Sequence, residues 1–249
     1  GKYALEANYY KSEIYFNQKN YEKAVTGYQA IADRVPNKFG EKSLLQAARL
    51  NFFELKKYDM AEKYFTRLKA FTTSQENKLE AMRGLLRSQY QLQKWNDATE
   101  NSKDLLNQKG SNTDDKVLSY MVLAKSAQTS NQCDLAISYF RNAINLNKSA
   151  FAAEARYEIA SCQFDQNKLK DAEKSAFEVI NKSGSYADWV TKSYILLGDI
   201  YLKEKDYFNA KATYESVASN AVIPELKAEA QRKLDQAIAE EKSQSKLNN

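Results

Sequence analysis

The chain has 249 residues, 43% of them hydrophobic, with 17 Tyr and 11 Phe but only seven Gly and two Pro; so few turn punctuators disfavour a strand-rich fold and favour helices joined by polar turns. Its net charge of +5 is spread over 37 basic and 32 acidic residues without a basic block, which argues against nucleic-acid binding, whose footprint is basic residues gathered on one face. Histidine is absent, and with it the commonest general base and metal ligand.

Six alanines recur along the chain in similar settings: Ala24, Ala61, Ala98, Ala136, Ala172 and Ala210, at spacings of 37, 37, 38, 36 and 38 residues. A large residue often stands four places later, as Tyr28, Phe65, Phe140 and Tyr214, and an aliphatic one seven places later. This is the inner face of an amphipathic helix. The alanine falls where a larger side chain would push paired helices apart. Upstream of each alanine lies another helical stretch, expected over 5–18, 42–55, 79–92, 117–130, 153–166 and 191–204. Each ends in a polar turn, such as Lys56-Lys57, Asn131-Gln132 or Lys205-Asp206. The units then run 5–38, 42–75, 79–112, 117–150, 153–186 and 191–223, separated by links rich in breakers and caps. The clearest pair is Thr191 to Asn220, with Tyr194, Leu197, Gly198 and Tyr201 on one helix and Tyr207, Ala210, Tyr214 and Val217 on the other. After Pro224, Leu226, Ala230, Leu234 and Ala237 or Ile238 stripe a charged segment. It is expected to form a helix over 225–242 that covers the last inner face, with residues 243–249 a disordered tail. No such cap precedes the first unit, which suggests that further chain lay upstream of Gly1.

Six helix pairs in register, with Leu197-Gly198, Tyr201, Ala210 and Tyr214 in the last and Tyr15, Ala24, Tyr28 and Pro36 in the first, resemble tetratricopeptide repeats. The resemblance covers residues 5–220. It implies an all-α fold, a right-handed α-solenoid of six helix pairs plus a C-terminal capping helix, in one domain over 1–242. The period exceeds the usual 34 by two to four residues, and the longer links resemble the bacterial outer-membrane-associated members, which favours a periplasmic or envelope location over the cytoplasm. Two units depart from the pattern, with Gln89 and Ser102 in one and Gln163 and Ala176 in the other. There Tyr90, Phe164 and Phe177 are expected to fill the gaps.

The family's implied role is that of a protein-interaction scaffold. The first helices line a groove that receives a peptide or partner protein, without cofactor or metal. The alternative is a structural spacer in a larger bacterial envelope assembly. Helical phase places Tyr9, Glu13 and Phe16 on the groove face of the first unit, and Phe53 on that of the second. The third offers Arg83, Arg87 and Tyr90, the fourth Met121 and Lys125, the fifth Tyr157 and Phe164. Arg83 and Arg87 share a helix face and Lys125 follows one unit on, so three cations could hold a carboxylate. The carboxylate clamp of chaperone-binding relatives is missing, since Tyr9, Glu13 and Ala47 stand at its places. Catalytic chemistry finds no support: no phosphate loop, no nucleophile with a base, and acidic pairs such as Asp114-Asp115 that read as solvated surface or helix-start charge. Cys133 and Cys162 lack metal-ligand spacing and read as small buried residues, with a disulfide possible but not implied. No apolar run is long enough to span a membrane.

Overall fold

The computed structural model describes residues 3–247. Among them it contains 13 α-helices, one π-helical turn and no strand. The helices come in pairs: α1 (Ala4–Asn17) with α2 (Tyr21–Ala32), α3 (Gly40–Arg49) with α4 (Tyr58–Phe71), and α5 (Gln75–Gln91) with α6 (Trp95–Asn107). They continue as α7 (Thr113–Thr129) with α8 (Cys133–Leu146), α9 (Ala150–Asp165) with α10 (Leu169–Lys182), and α11 (Ala187–Lys203) with α12 (Tyr207–Asn220). A single helix, α13 (Pro224–Leu247), follows. The chain divides into two compact units, Gly1–Ser126 and Ala127–Asn249, with the division inside α7. The sequence, uniform in composition, carries no sign of that division.

Within each unit, helices pack on their sequence neighbours, second helix on next first helix as well as first on second. This is the α-solenoid arrangement. All six repeating alanines are fully buried. Four places on, Tyr28, Phe65, Phe140 and Tyr214 are buried to within 1%. In the two irregular units that place holds Ser102 and Ala176, also fully buried. Ala176 packs with Leu196 and Leu197 of α11, so larger residues on the facing helix take up the volume. Phe177, expected to do so, points away and is 41% exposed, because one residue along a helix turns the side chain by about 100°.

The six turns inside the pairs are built alike. Lys19, Lys56, Gln93, Asn131, Asn167 and Lys205 all have φ between 55° and 62°. Five of them sit in the same reversal. After α1, for example, the N–H of Lys19 bonds the carbonyl of Phe16, and that of Asn20 the carbonyl of Tyr15. This double closure satisfies the last carbonyls of the helix through backbone alone. The second pair differs. Leu50–Glu54 winds as a π turn, with Leu55 N–H bonding Leu50 O, and the closing bond runs from Lys57 to Asn51. One extra residue is thus absorbed where a continuous first helix over 42–55 was expected.

Side chains tie successive pairs. Lys57 pairs with Glu22 at 3.0 Å, Lys94 with Glu62 at 2.6 Å, and Lys168 with Asp134 at 3.3 Å. Such solvated pairs contribute little each. Arg67 does more: it pairs with Asp33 and donates to the carbonyl of Ala32 at 2.7 Å, which completes the end of α2.

At the C-terminus, Pro224 opens α13, where its missing N–H costs nothing. Leu226, Ala230 and Ala237 are buried against the cluster around Tyr214 and Val217. The helix continues through 243–247, where a disordered tail was expected; Ser245 there donates back to the carbonyl of Glu241. Residues 248–249 of that expected tail lie outside the described residues.

Candidate functional site

The expected groove residues fall at three places relative to the repeating alanine. Fifteen residues before it stand Tyr9, Arg83, Met121 and Tyr157. The structure turns this place inward. Met121 is fully buried, and Tyr9 is buried with its ring stacked on Phe39 at 4.7 Å. Burial, with Glu13 beside it, pushes the Tyr9 hydroxyl up to about 12. Tyr157 is half-buried, 5.5 Å from the Trp189 ring, and burial raises its pKa too. Neither Met121 nor Tyr9 therefore offers a surface to a ligand, which corrects the expectation from helical phase.

Arg83 is committed elsewhere. Its guanidinium grips both oxygens of Asp115 at 2.8 and 2.9 Å and reaches the carbonyl of Gly110 at 3.2 Å. The hydrogen bond to Asp115 raises the Arg83 pKa further above its ordinary value. Asp115 is only 2% exposed and lies in the first turn of α7, so of the two sequence readings helix-start charge holds and solvated surface does not. It also exchanges bonds with Asn112 at 2.9 Å each way, a capping box at the start of α7. The Asn-x-x-Asp spacing was the available signal for this role.

Eleven residues before the alanine stand Glu13, Arg87 and Lys125, all half-buried. Glu13 accepts a hydrogen bond from the Tyr28 hydroxyl and so serves the pair's own interior. Arg87 has no hydrogen bond or ion pair among the described residues, although Arg49 pairs with Glu80 at 3.0 Å on the preceding first helix and Arg83 with Asp115 on the next. Eight residues before the alanine stand Phe16, Phe53, Tyr90 and Phe164. Phe16 lies near Tyr21, Tyr90 meets the edge of Trp95 at 5.1 Å, and Phe164 lies under the ammonium of Lys203 at 4.6 Å. Phe53 is held on the π turn, in edge contact with Phe52, and is 46% exposed. Asn51, on the same turn, is buried and its side-chain amide donates to Ala47 O, while its Oδ1 meets no hydrogen-bond partner among the described residues. The sequence pattern gave no indication of the π turn that presents Phe53.

In the first unit, Phe16, Phe53 and Tyr90 thus occupy one register place on successive first helices, with Arg87 one turn from Tyr90. In the second unit, Cys162 is fully buried and Cys133 half-buried, and both are free thiols. Burial, then contact with Cys133, pushes the Cys162 thiol up, away from the thiolate that nucleophilic chemistry requires. No group of three or more potential metal ligands occurs among the described residues, and no helix there is long and apolar enough to cross a membrane.

Three family models, each described as tetratricopeptide repeat, match residues 6–38, 121–187 and 191–220, together more than half of the chain. The chain is a tetratricopeptide-repeat protein. Proteins of this family are generally scaffolds for protein–protein interaction and typically non-catalytic. No curated protein matches the chain by sequence. Among solved structures, the C-terminal part of a tetratricopeptide-repeat protein from Cytophaga hutchinsonii aligns with a TM-score of 0.63 at 16% identity, over 92% of this chain and 84% of that one. PilW, a type IV pilus biogenesis factor, aligns at 0.59 and 15% identity, over 91% and 98%. The apo form of RapI aligns at 0.58 and 13%, over 96% and 99%. At these identities the likeness is one of fold.

Proposed function

We propose that the chain is a non-enzymatic scaffold whose first helices receive a peptide or partner protein, with the binding face in the first unit centred on Arg87. The observation that carries this reading is the half-buried residue Arg87, whose guanidinium has no hydrogen bond or ion pair among the described residues while its neighbours Arg49 and Arg83 are paired. A partly desolvated guanidinium binds a carboxylate or carbonyl oxygen more strongly than an exposed one does. The aromatic file of Phe16, Phe53 and Tyr90 supplies apolar contact beside it, and rigid rings lose little entropy on binding. Preformed helices add to the affinity by limiting that same loss. The partner's chemistry is therefore an acidic segment with apolar side chains. Catalysis has no place in this reading, since the chain lacks histidine and its buried thiol is held protonated.

Selection of a random peptide library on the purified protein tests the proposal. Peptides enriched in Asp or Glu beside apolar residues are expected. Arg87→Ala and Phe53→Ala should each weaken the selected peptide by about tenfold, while Arg232→Ala on α13 leaves binding unchanged. Equal affinity for wild type, Arg87→Ala and Phe53→Ala would sink the assignment.

A further inference from the structure

Within the first unit, side chains close the crevice between one second helix and the next. At the end of α2, Asp33 receives Arg67 of α4 and the Tyr64 hydroxyl at 3.3 Å. Between α4 and α6, Lys69 reaches Asn101 at 3.0 Å and Asp104 at 3.4 Å. These partners stand at fixed places: eight or nine residues after the repeating alanine on the earlier helix, three and six after it on the later one. In the second unit, α8 and α10 hold Ile144, Asn145, Ser175 and Glu178 at those places. No hydrogen bond or ion pair joins these four across the crevice. Serine is too short to span it where Tyr64 does, and Glu178 turns to Lys182 on its own helix at 2.7 Å. A cavity of about 210 Å³ remains, its wall completed by Arg141 of α8 and by Arg156 and Ile159 of α9. That is far more than the roughly 10–15 Å³ one water needs and less than the roughly 300–1,000 Å³ of a drug-sized site, so it suits one small group.

Arg156 stands where α3 and α5 carry Leu45 and Met82. Its Nη1 is anchored from behind, to the carbonyl of Ala152 at 3.4 Å and to Ser183 Oγ at 3.3 Å, both long bonds. Its Nε is buried with no hydrogen-bond partner among the described residues, and its Nη2 makes no bond there either. Of the three guanidinium nitrogens, one is engaged. A cation held so short of acceptors is costly, and an anion brought to it offsets that cost. Arg141 is exposed and makes no hydrogen bond or ion pair among the described residues, and the side chains of Asn145 and Ser175 make none either. Two cations and two neutral donors thus line one cavity, with Glu178 the single acid beside them.

We propose that this cavity binds a carboxylate group on a short apolar stem, with the guanidinium groups of Arg156 and Arg141 on its oxygens and Ile144 and Ile159 against the stem. The planar fork of arginine matches a carboxylate. Glu178 on the wall selects against a dianion such as phosphate, whose second charge it repels. The two isoleucines favour a stem over a bare inorganic ion. The site belongs to the second unit and stands independently of the reading centred on Arg87.

Titration of the whole chain with 3-methylbutanoate tests the proposal, following the Nε–Hε NMR signals of Arg156 and Arg141 at constant ionic strength. Saturable shifts are expected, with a dissociation constant on the order of 1–10 mM for so small a ligand. The uncharged 3-methylbutanamide should bind at least about tenfold more weakly, and inorganic phosphate at least about threefold more weakly. Arg156→Met, which copies α5, and Ser175→Tyr, which copies Tyr64 of α4, should each weaken binding at least about tenfold at the Arg141 signal, with circular dichroism unchanged. Signals that stay fixed up to about 50 mM acid overturn the proposal, as does binding indifferent to both substitutions. Tighter binding of phosphate overturns the carboxylate assignment. N-acetylglutamate N-methylamide distinguishes the sources: a response to it assigns a polypeptide side chain, and a response to the free acid alone a small molecule, each in support of the site.

Discussion

Tyr214 donates its hydroxyl hydrogen bond to Asp199 at 2.6 Å, and the ammonium of Lys233 holds the same carboxylate at 2.7 Å. Three helices, α11, α12 and α13, meet through this one half-buried oxygen pair. Tyr28 and Glu13 stand at the same register places in the first pair and make the same bond. Tyr214→Phe should lower stability by about 1.5–3 kcal/mol, the worth of a hydrogen bond to a charged acceptor. No cavity adds to this, because phenylalanine already fills the equivalent place at Phe65 and Phe140. The urea midpoint measures the loss, and amide exchange should place it in α11 to α13. An unchanged midpoint would remove the bond from any stabilising role.

Gly198 lies directly under that ring. A Cβ there would stand 2.4 Å from one atom of Tyr214 and 2.7 Å from another. The ring is fully buried and tied at its far end to Asp199, so it has nowhere to move. Alanine would gain up to about 1 kcal/mol in helix propensity but lose about 1–3 kcal/mol to overpacking. Gly198→Ala should therefore destabilise by about 1–2 kcal/mol in chemical denaturation, against the usual direction for glycine in a helix.

The left-handed residues of the turns invite the opposite change. Gln93 holds φ at 55° and its side chain is exposed. A non-glycine residue is strained there by about 1–2 kcal/mol, while glycine costs about 0.5–1 kcal/mol more in chain entropy. Gln93→Gly should raise stability by about 0.5 kcal/mol, and Asn131→Gly by less, because asparagine tolerates this conformation. A fall in midpoint for Gln93→Gly would contradict the balance.

Alkaline titration should weaken the first unit. Burial, with Asp33 beside it, pushes the Tyr64 hydroxyl up to about 12, against about 10 in an unfolded chain. The folded state thus keeps a proton that the unfolded state gives up. The resulting stability is complete below pH 10 and lost as pH rises towards 12. Thermal melts at pH 9, 10 and 11 should show a steeper decline for wild type than for Tyr64→Phe. Parallel declines would mean that Tyr64 does not contribute to it.

The repeating alanines and polar turns were legible in the sequence because they are set by helix period and local turn chemistry, both short-range. Ala24 to Ala210 are all buried, and every expected turn is a reversal. The site was less legible. Helical phase marks which residues share a face, but not by how much a helix rolls against its neighbour. Met121 and Tyr9 therefore turn out buried, one step round from the open face. Arg83 and Asp115 are 32 residues apart, and nothing local announces that they pair. The π turn at Leu50–Glu54 depends on one inserted residue being absorbed in place, a choice made by tertiary packing.

Arg67 carries a consequence for how the chain is made. It finishes the last turn of α2 from 35 positions further along, through Ala32 O, and Lys57 reaches Glu22 over the same separation. On a ribosome, the first hairpin leaves the exit tunnel ahead of the residues that close it. Its end stays open to water until α4 has emerged, so the N-terminal part matures in arrears of synthesis, each hairpin completed by the next to arrive.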